Sequence, residues 1–222
     1  MCGRYTVIAP APRLAQRFGA AEPASPAPNY NAAPSQVLPI ITNAAPQQIQ
    51  LVSWGLVPSW SRDPAQGPKP INARAETLGE KPSFRALLAR RRCLVLADSF
   101  YEWQDATGKG KTPHRILLQN EEPFAFAGLW DEWVDRASGE VHPTFTIITT
   151  EPNALMASIH NRMPVILPGP EAERAWLADD LGPAAHQQLL LPYDATLMKE
   201  YAVTTRVNSP AHNDPEVLVA AA

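Results

Sequence analysis

The residues of this chain that can do chemistry begin with Cys2, directly after Met1. A residue as small as Cys normally allows the initiator Met to be removed. The mature chain is then expected to begin with a cysteine carrying a free α-amine beside its own thiol. Such a 1,2-aminothiol condenses with an aldehyde to an imine, and its sulfur then closes on the imine carbon to give a thiazolidine. The α-amine titrates at about 8 against about 10.4 for Lys, so about a tenth of it is free base at pH 7. Nearby cations activate a thiol, and Arg4 follows closely. The plain alternative is that residue 2 is only a small residue after a start codon.

Other polar residues are candidates to serve Cys2. Glu102 lies between Tyr101 and Trp103. Facing inward among those rings, its carboxyl is held protonated by desolvation as a general acid; facing outward, it is a surface carboxylate. His160, followed by Arg162, can carry a proton at neutral pH or serve a structural role. Asn72 and Arg74 share one face of an extended segment, pairing an amide that orients a reacting oxygen with a guanidinium that holds a phosphate. Trp54 and Trp60 flank a loop where they can stack on unpaired bases, or they belong to an aromatic core. Trp103, Trp130 and Trp133 read as core, and Cys93 as an inert core thiol. Five scattered His and two distant Cys make no metal site, and no phosphate-binding glycine loop or serine elbow occurs.

The elements that must position these residues are short. Residues 3–8 read as a strand leaving the nucleophile, 12–18 as a helix stopped by Gly19, and 20–28 as a linker. Residues 37–42 and 49–54 read as paired strands with 43–47 as their turn. The proline-rich stretch 61–70 reads as a mobile loop, 71–77 as extended, and 83–92 as a helix with basic residues in its last turn. Residues 93–103 read as one strand, with 107–110 as a hairpin turn to a strand over 114–119. Strands follow at 124–133 and 143–150, joined by 135–140. Short helices are expected over 153–159, 171–177 and 185–191, with a final strand over 201–207. The inventory describes one α+β domain spanning 1–222, mostly antiparallel, with a few peripheral helices.

Composition narrows the function classes. The 222 residues suffice for one sizeable core, and 24 Pro favour loops and short strands over long helices. A net charge of −3 argues against a protein that wraps duplex DNA. Yet 14 of the 19 basic residues are Arg, which leaves local anion pockets available. Two cysteines are too few for a disulfide scaffold, so a reducing cytoplasm is expected. With no signal peptide and no long apolar run, no membrane association is expected.

Taken together, six stretches resemble the signatures of the SRAP family, the SOS-response-associated peptidase-like, abasic-site processing proteins. They are Met1-Cys2-Gly3-Arg4-Tyr5, Tyr30-Asn31-Ala32-Ala33-Pro34, Trp54 to Trp60, Asn72 to Thr77, Phe100-Tyr101-Glu102-Trp103, and His160-Asn161-Arg162-Met163-Pro164. The resemblance runs from residue 2 to about Asn208. Ala75 and Asn161 stand where many members have Ser and Asp. The resemblance implies a barrel-like twisted sheet and a sensor that traps abasic sites of single-stranded DNA as a thiazolidine crosslink. It implies Cys2 as nucleophile through both amine and thiol, Asn72 orienting the open-chain sugar, Glu102 shuttling protons and His160 assisting ring opening. Arg4, Arg74 and Arg162 then hold phosphates, and Trp54, Trp60, Arg85 and Thr149 complete the expected DNA contacts. No cofactor or metal is implied. A monomer in the cytoplasm, on the nucleoid when DNA is damaged, is expected.

Two alternatives stay open at this level. Class II glutamine amidotransferases also begin Met-Cys-Gly and use the N-terminal Cys on amides, but give no role to the Trp-Gly-Leu and Phe-Tyr-Glu-Trp stretches. The other is a single-stranded DNA-binding module without catalysis, in which Cys2 is incidental.

Overall fold

The fold follows from apolar strands buried on both faces: residues 92–97, 124–131 and 144–150 are each buried without a break. A computed structural model describes residues 2–22, 27–64, 67–105 and 110–221. In chain order these form β1 (Tyr5–Val7), α1 (Ala11–Phe18), β2 (Asn29–Ala32), β3 (Val37–Thr42), β4 (Ile49–Trp54) and β5 (Asn72–Arg74). Then come α2 (Pro82–Arg90), β6 (Arg92–Ala97), β7 (Ser99–Asp105), β8 (Lys111–Leu118), β9 (Phe124–Val134) and β10 (Val141–Thr150). The chain ends with β11 (Met163–Pro164), α3 (Pro170–Leu177), α4 (Pro183–Gln188) and β12 (Met198–Ala202). Among the described residues no helix is long and apolar enough to cross a membrane.

Strands β10, β4, β3, β6 and β9 close on themselves, because β9 pairs with β10 at the end of the series. The result is a five-stranded barrel, antiparallel except where β10 runs parallel to β4 at Thr144↔Ser53 and Phe145↔Trp54. Strand β5 adds parallel to β10, placing Asn72 beside Ile147 and Arg74 beside Thr149. The second sheet, in the order β12-β8-β7-β1-β2, is antiparallel throughout. Rings join the two layers. Tyr5 of β1 lies 5.2 Å from Trp54 and 5.8 Å from Phe126 between centroids, and Phe100 of β7 lies 5.9 Å from Phe126. Such tilted and edge-to-face pairs add about 0.5–1.5 kcal/mol each beyond area burial.

Strand β7 has two working faces. Phe100 and Glu102 point toward the barrel and are buried. Tyr101 and Trp103 point the other way, into a small apolar cluster with Val203, Val207 and Val217 of the C-terminal strap.

Several boundaries differ from the sequence reading, each for a tertiary reason. The stretch 93–103 is two strands in different sheets, broken at Asp98. The Asp98 carboxylate accepts the backbone N–H groups of Ile8 and of Ala9, and its own N–H donates to Thr6 O at 2.9 Å. That corner hands the chain from barrel to second sheet. The helix expected over 83–92 ends at Arg90. Arg92 instead opens β6, with its guanidinium fully buried on Leu88 O, Trp176 O and Ala178 O. These carbonyls lie at helix ends, where intrahelical donors run out, and Ala178 O is shared with His186 Nε2 at 3.0 Å.

The extended stretch 71–77 turns into a single 3-10 turn at Ala75–Thr77, and the 153–159 helix shrinks to another at Met156–Ser158. The expected helix over 185–191 lies at Pro183–Gln188. The last strand starts at Met198, where it pairs with Leu118. Residues Thr205–Asn208 form a 3-10 turn because their carbonyls are claimed by side chains rather than by a neighbouring strand. The helix α1 does stop at Gly19, whose φ of 61° suits a residue without Cβ. The proposed turn residues 107–109, linker residues 23–26 and loop residues 65–66 lie outside the described residues.

One close approach makes a test. A Cβ on Gly128 of β9 would lie 2.8 Å from Cys93 Sγ, 2.9 Å from Val95 Cγ2 and 3.0 Å from Thr146 O. Gly128→Ala should therefore cost about 1–3 kcal/mol, lowering Tm by about 2–4 °C per kcal/mol for a chain of this length. Adding Cys93→Ala should recover part of the loss. An unchanged Tm for the single variant in a thermal melt would show that the barrel wall yields there.

Candidate active site

The site forms where the segment entering β1 crosses the end of β5 and the inner face of β7. Cys2 is wholly buried. Asn72 holds it in place, its Nδ2 donating to Cys2 O at 2.8 Å, while Asn72 Oδ1 is buried without a partner. Burial drives the Cys2 thiol well above its ordinary range, and the charge of nearby Glu102 drives it further. The backbone N–H of Arg4 pulls weakly the other way.

This corrects one expectation from the sequence. The Arg4 guanidinium does not activate the thiol, because it is turned away from it. Its Nη1 donates to Asn31 Oδ1 and to Val207 O, both at 2.7 Å, and its Nη2 to Asn208 O at 3.2 Å. It also lies 5.8 Å from the Trp103 ring centroid. Arg4 thus binds the strand that follows Cys2 to the C-terminal strap, and burial favours the neutral thiol at Cys2.

Glu102 faces inward and is 2% exposed. Desolvation raises its carboxyl above the usual carboxylate range, with the charge of His160 among the opposing influences. His160 sits just past the 3-10 turn, its N–H bonded to Met156 O at 2.8 Å. Its Nδ1 accepts the N–H of Arg162 at 3.1 Å, which puts the proton of a neutral ring on Nε2. Cys2, Asn72, Glu102 and His160 therefore lie in one neighbourhood, drawn from four separate parts of the chain.

The other expected residues are placed as follows. Arg74 is exposed at the end of β5. Arg162 is mostly covered, forked onto Glu76 at 2.8 and 3.0 Å and donating to Thr149 O at 2.7 Å. Thr149 is buried and accepts a further contact from Arg162 at 3.4 Å, so it braces that arginine. Arg85 stands exposed on α2, which packs chiefly on β9, β6 and α4. Trp54 has no face open to a base: it is 1% exposed, stacked on Phe145, with its indole N–H on Ile71 O. Trp60, at 70% exposure, does. Trp130 is buried as expected, whereas Trp103 and Trp133 are only half-buried.

Sequence reasoning missed two supporting side chains. Asn31 accepts from Arg4 and donates to Val207 O, Ser209 O and His212 O, and Glu76 is the partner of Arg162. Each sits inside a quoted motif, which was the available signal. A cleft of about 630 Å³ between α1 and α3, lined by Phe18, Leu94 and Leu177, contains none of these residues.

A five-stranded barrel backed by a second sheet, with a buried cysteine beside a desolvated carboxyl at their junction, defines a compact class of α+β proteins. Within it, the chain belongs to the SOS response associated peptidase (SRAP) family, which it matches over residues 1–210. It is 46% identical to the abasic site processing protein YoqW of Bacillus subtilis, over 98% of this chain and 99% of that one. It is 31% identical to the abasic site processing protein HMCES of Xenopus tropicalis, over 87% of this chain and 66% of that one. A crystal structure of a Bacteroides thetaiotaomicron protein superposes with a TM-score of 0.91 at 34% identity, each chain covered in full. The amidotransferase alternative is set aside by this membership.

The raised carboxyl predicts a stability signature. The unfolded chain releases the Glu102 proton at about 4.3, whereas the folded chain holds it to higher pH. Folding is therefore progressively penalised as pH rises from the unfolded value through the folded one, and the penalty vanishes below the unfolded value. Glu102→Gln should raise Tm at pH 7, with the gain shrinking toward zero as pH falls to about 4. A gain that is flat or inverted with pH in thermal melts would contradict a buried, raised carboxyl.

Proposed function

We propose that this protein captures abasic sites in single-stranded DNA as a covalent thiazolidine formed by Cys2 after removal of Met1. The observation that carries the reading is the buried Cys2, tied through its carbonyl to Asn72 and facing the desolvated Glu102. The names of the relatives, abasic site processing proteins, support it.

The chemistry divides among the side chains. An abasic deoxyribose is mostly a closed ring, and opening it requires a proton on the ring oxygen, which His160 delivers. Asn72, with its unpaired buried oxygen, orients the resulting open-chain sugar. The Cys2 amine adds to the aldehyde carbon to give a carbinolamine. Protonated Glu102 donates to the carbinolamine oxygen, which leaves as water, and the imine forms. The imine forms with its nitrogen protonated. The carboxylate just produced therefore takes the proton of the neutral thiol as sulfur bonds to the imine carbon, the C=N electron pair returns to nitrogen, and Glu102 ends protonated as it began. One carboxyl thus acts first as acid and then as base, and each such role is typically worth about 10²–10⁴ in rate. If sulfur does not close, the imine acidifies the adjacent sugar C–H and β-elimination cuts the strand, so lyase activity is a side reaction. Self-removal of Met1 is the corresponding reading of the peptidase label.

DNA binding is assigned to Arg74, to Arg162 once a phosphate exchanges with Glu76, and to the exposed Trp60 as a stacking platform. Arg4 and Arg85 remain candidate phosphate contacts.

The experiment is incubation with an abasic single-stranded oligonucleotide, followed by denaturing electrophoresis. The parent should give a denaturant-stable adduct and none with intact DNA. Cys2→Ala, which keeps an amine once Met1 is removed, should lose that adduct yet still be trapped by borohydride as a Schiff base. A tag left on the N-terminus should abolish both. A tagged protein that crosslinks at the parent rate would assign the chemistry to an internal group.

A further inference from the structure

Gln104 lies two residues beyond Glu102 on β7 and shares its barrel-facing side. Along that face cover thins outward, from buried Phe100 and Glu102 to half-buried Gln104 at the rim. There the Gln104 amide reaches across to the other side of the site, its Nε2 donating to Ser158 O at 2.9 Å. Ser158 ends the 3-10 turn Met156–Ser158, and His160 follows two residues later, anchored back to Met156 O. The path Glu102–Trp103–Gln104 to Ser158–Ile159–His160 is therefore closed by one side-chain hydrogen bond. Each arm is short: two residues of strand on one side, two residues of turn on the other. The turn has little rigidity of its own, since a single 3-10 turn holds few internal bonds.

We propose that Gln104 is a positioning residue which, through Ser158, sets the separation between the Glu102 carboxyl and the His160 imidazole. The inference rests on the abasic-site reading for its rate measurement, though not for its titration. Glu102 is faced by the charge of the amino terminus, which opposes its raised carboxyl most, by Cys2 from the N-terminal segment and by His160 beyond the turn, and its cross-strand neighbour His114 is engaged with Glu200 at 2.6 Å. Of these, His160 is the one that Gln104 tethers. Two proton carriers that act in succession on one sugar must both reach it, and a misplacement of about 1 Å can cost about a hundredfold in rate. Interaction between charges falls with their separation, so slackening the tether also weakens the hold of His160 on the Glu102 carboxyl.

The test uses Gln104→Met, which keeps the bulk and removes the donor, and Gln104→Arg, which restores a donor. Gln104→Met should slow adduct formation on an abasic oligonucleotide by about tenfold, and Gln104→Arg should recover much of it. On a His160→Ala background the same substitution should change the rate by less than about twofold, since coupled residues are not additive. In DNA-free protein, ¹³C NMR titration of the Glu102 carboxyl should show a higher midpoint in Gln104→Met, because the lowering influence of His160 recedes. Equal slowing with and without His160, or an unmoved rate and midpoint in a variant of parental Tm, would overturn the proposal. A parent that forms no adduct would sink the abasic-site reading instead, and the carboxyl titration would still decide the role of Gln104.

Discussion

The structure depends on keeping water away from one thiol and one carboxyl. Cys2 and Glu102 are both buried, burial opposes the ionisation of each, and a charge on Glu102 makes ionisation of the Cys2 thiol harder still. A pair of acids placed like this contributes nothing to folding and costs stability unless both stay neutral. The surrounding fold supplies what they lack. Rings of Tyr5, Trp54, Phe100 and Phe126 join the layers beneath them. Asn72 fixes the backbone of the nucleophile from the side. Enzymes commonly carry destabilised groups of this kind where reactivity is needed, and offset them with packing elsewhere.

The remaining polar interior works as a set of ties. Asp98 turns the chain from barrel to second sheet by occupying the backbone donors that follow β1. Arg92 gathers the loose carbonyl ends of α2 and α3. Arg4 and Asn31 fasten the N-terminal strand to the strap at 207–212. Apart from the Arg92 contact to Leu88 O, these ties are long-range in sequence, and those of Arg4 and Asn31 join segments from both ends of the chain.

Much of this was legible in the sequence, for reasons that particular residues illustrate. Strands β3 and β4 occupy 37–42 and 49–54 as read, because short apolar, β-branched runs on either side of a turn-rich gap are local signals. Gly19 ends its helix because only a residue without Cβ takes that backbone cheaply. Cys2, Asn72 and Glu102 could be singled out from type and motif, and the fold brings the three together. Direction was not legible. Nothing local distinguishes Trp54 from Trp60, yet one lies in the core and the other in solvent. Arg4 adjoins the thiol in sequence while its guanidinium points to the far end of the chain. The break at Asp98 lies within a run apolar on both sides, where periodicity cannot reveal a change of sheet.

The parallel pairing of β10 carries a consequence for biogenesis. Strand β5, which bears Asn72, finds its partner only in β10, about seventy residues later in synthesis. Barrel closure likewise waits for β10, which must join both β4 and β9. Contacts between segments so far apart form late, since the loop entropy must be met first. While the chain is still being made, Cys2 therefore lacks both the strand that will hold it and the barrel wall behind it. Cys2 is made early and housed late.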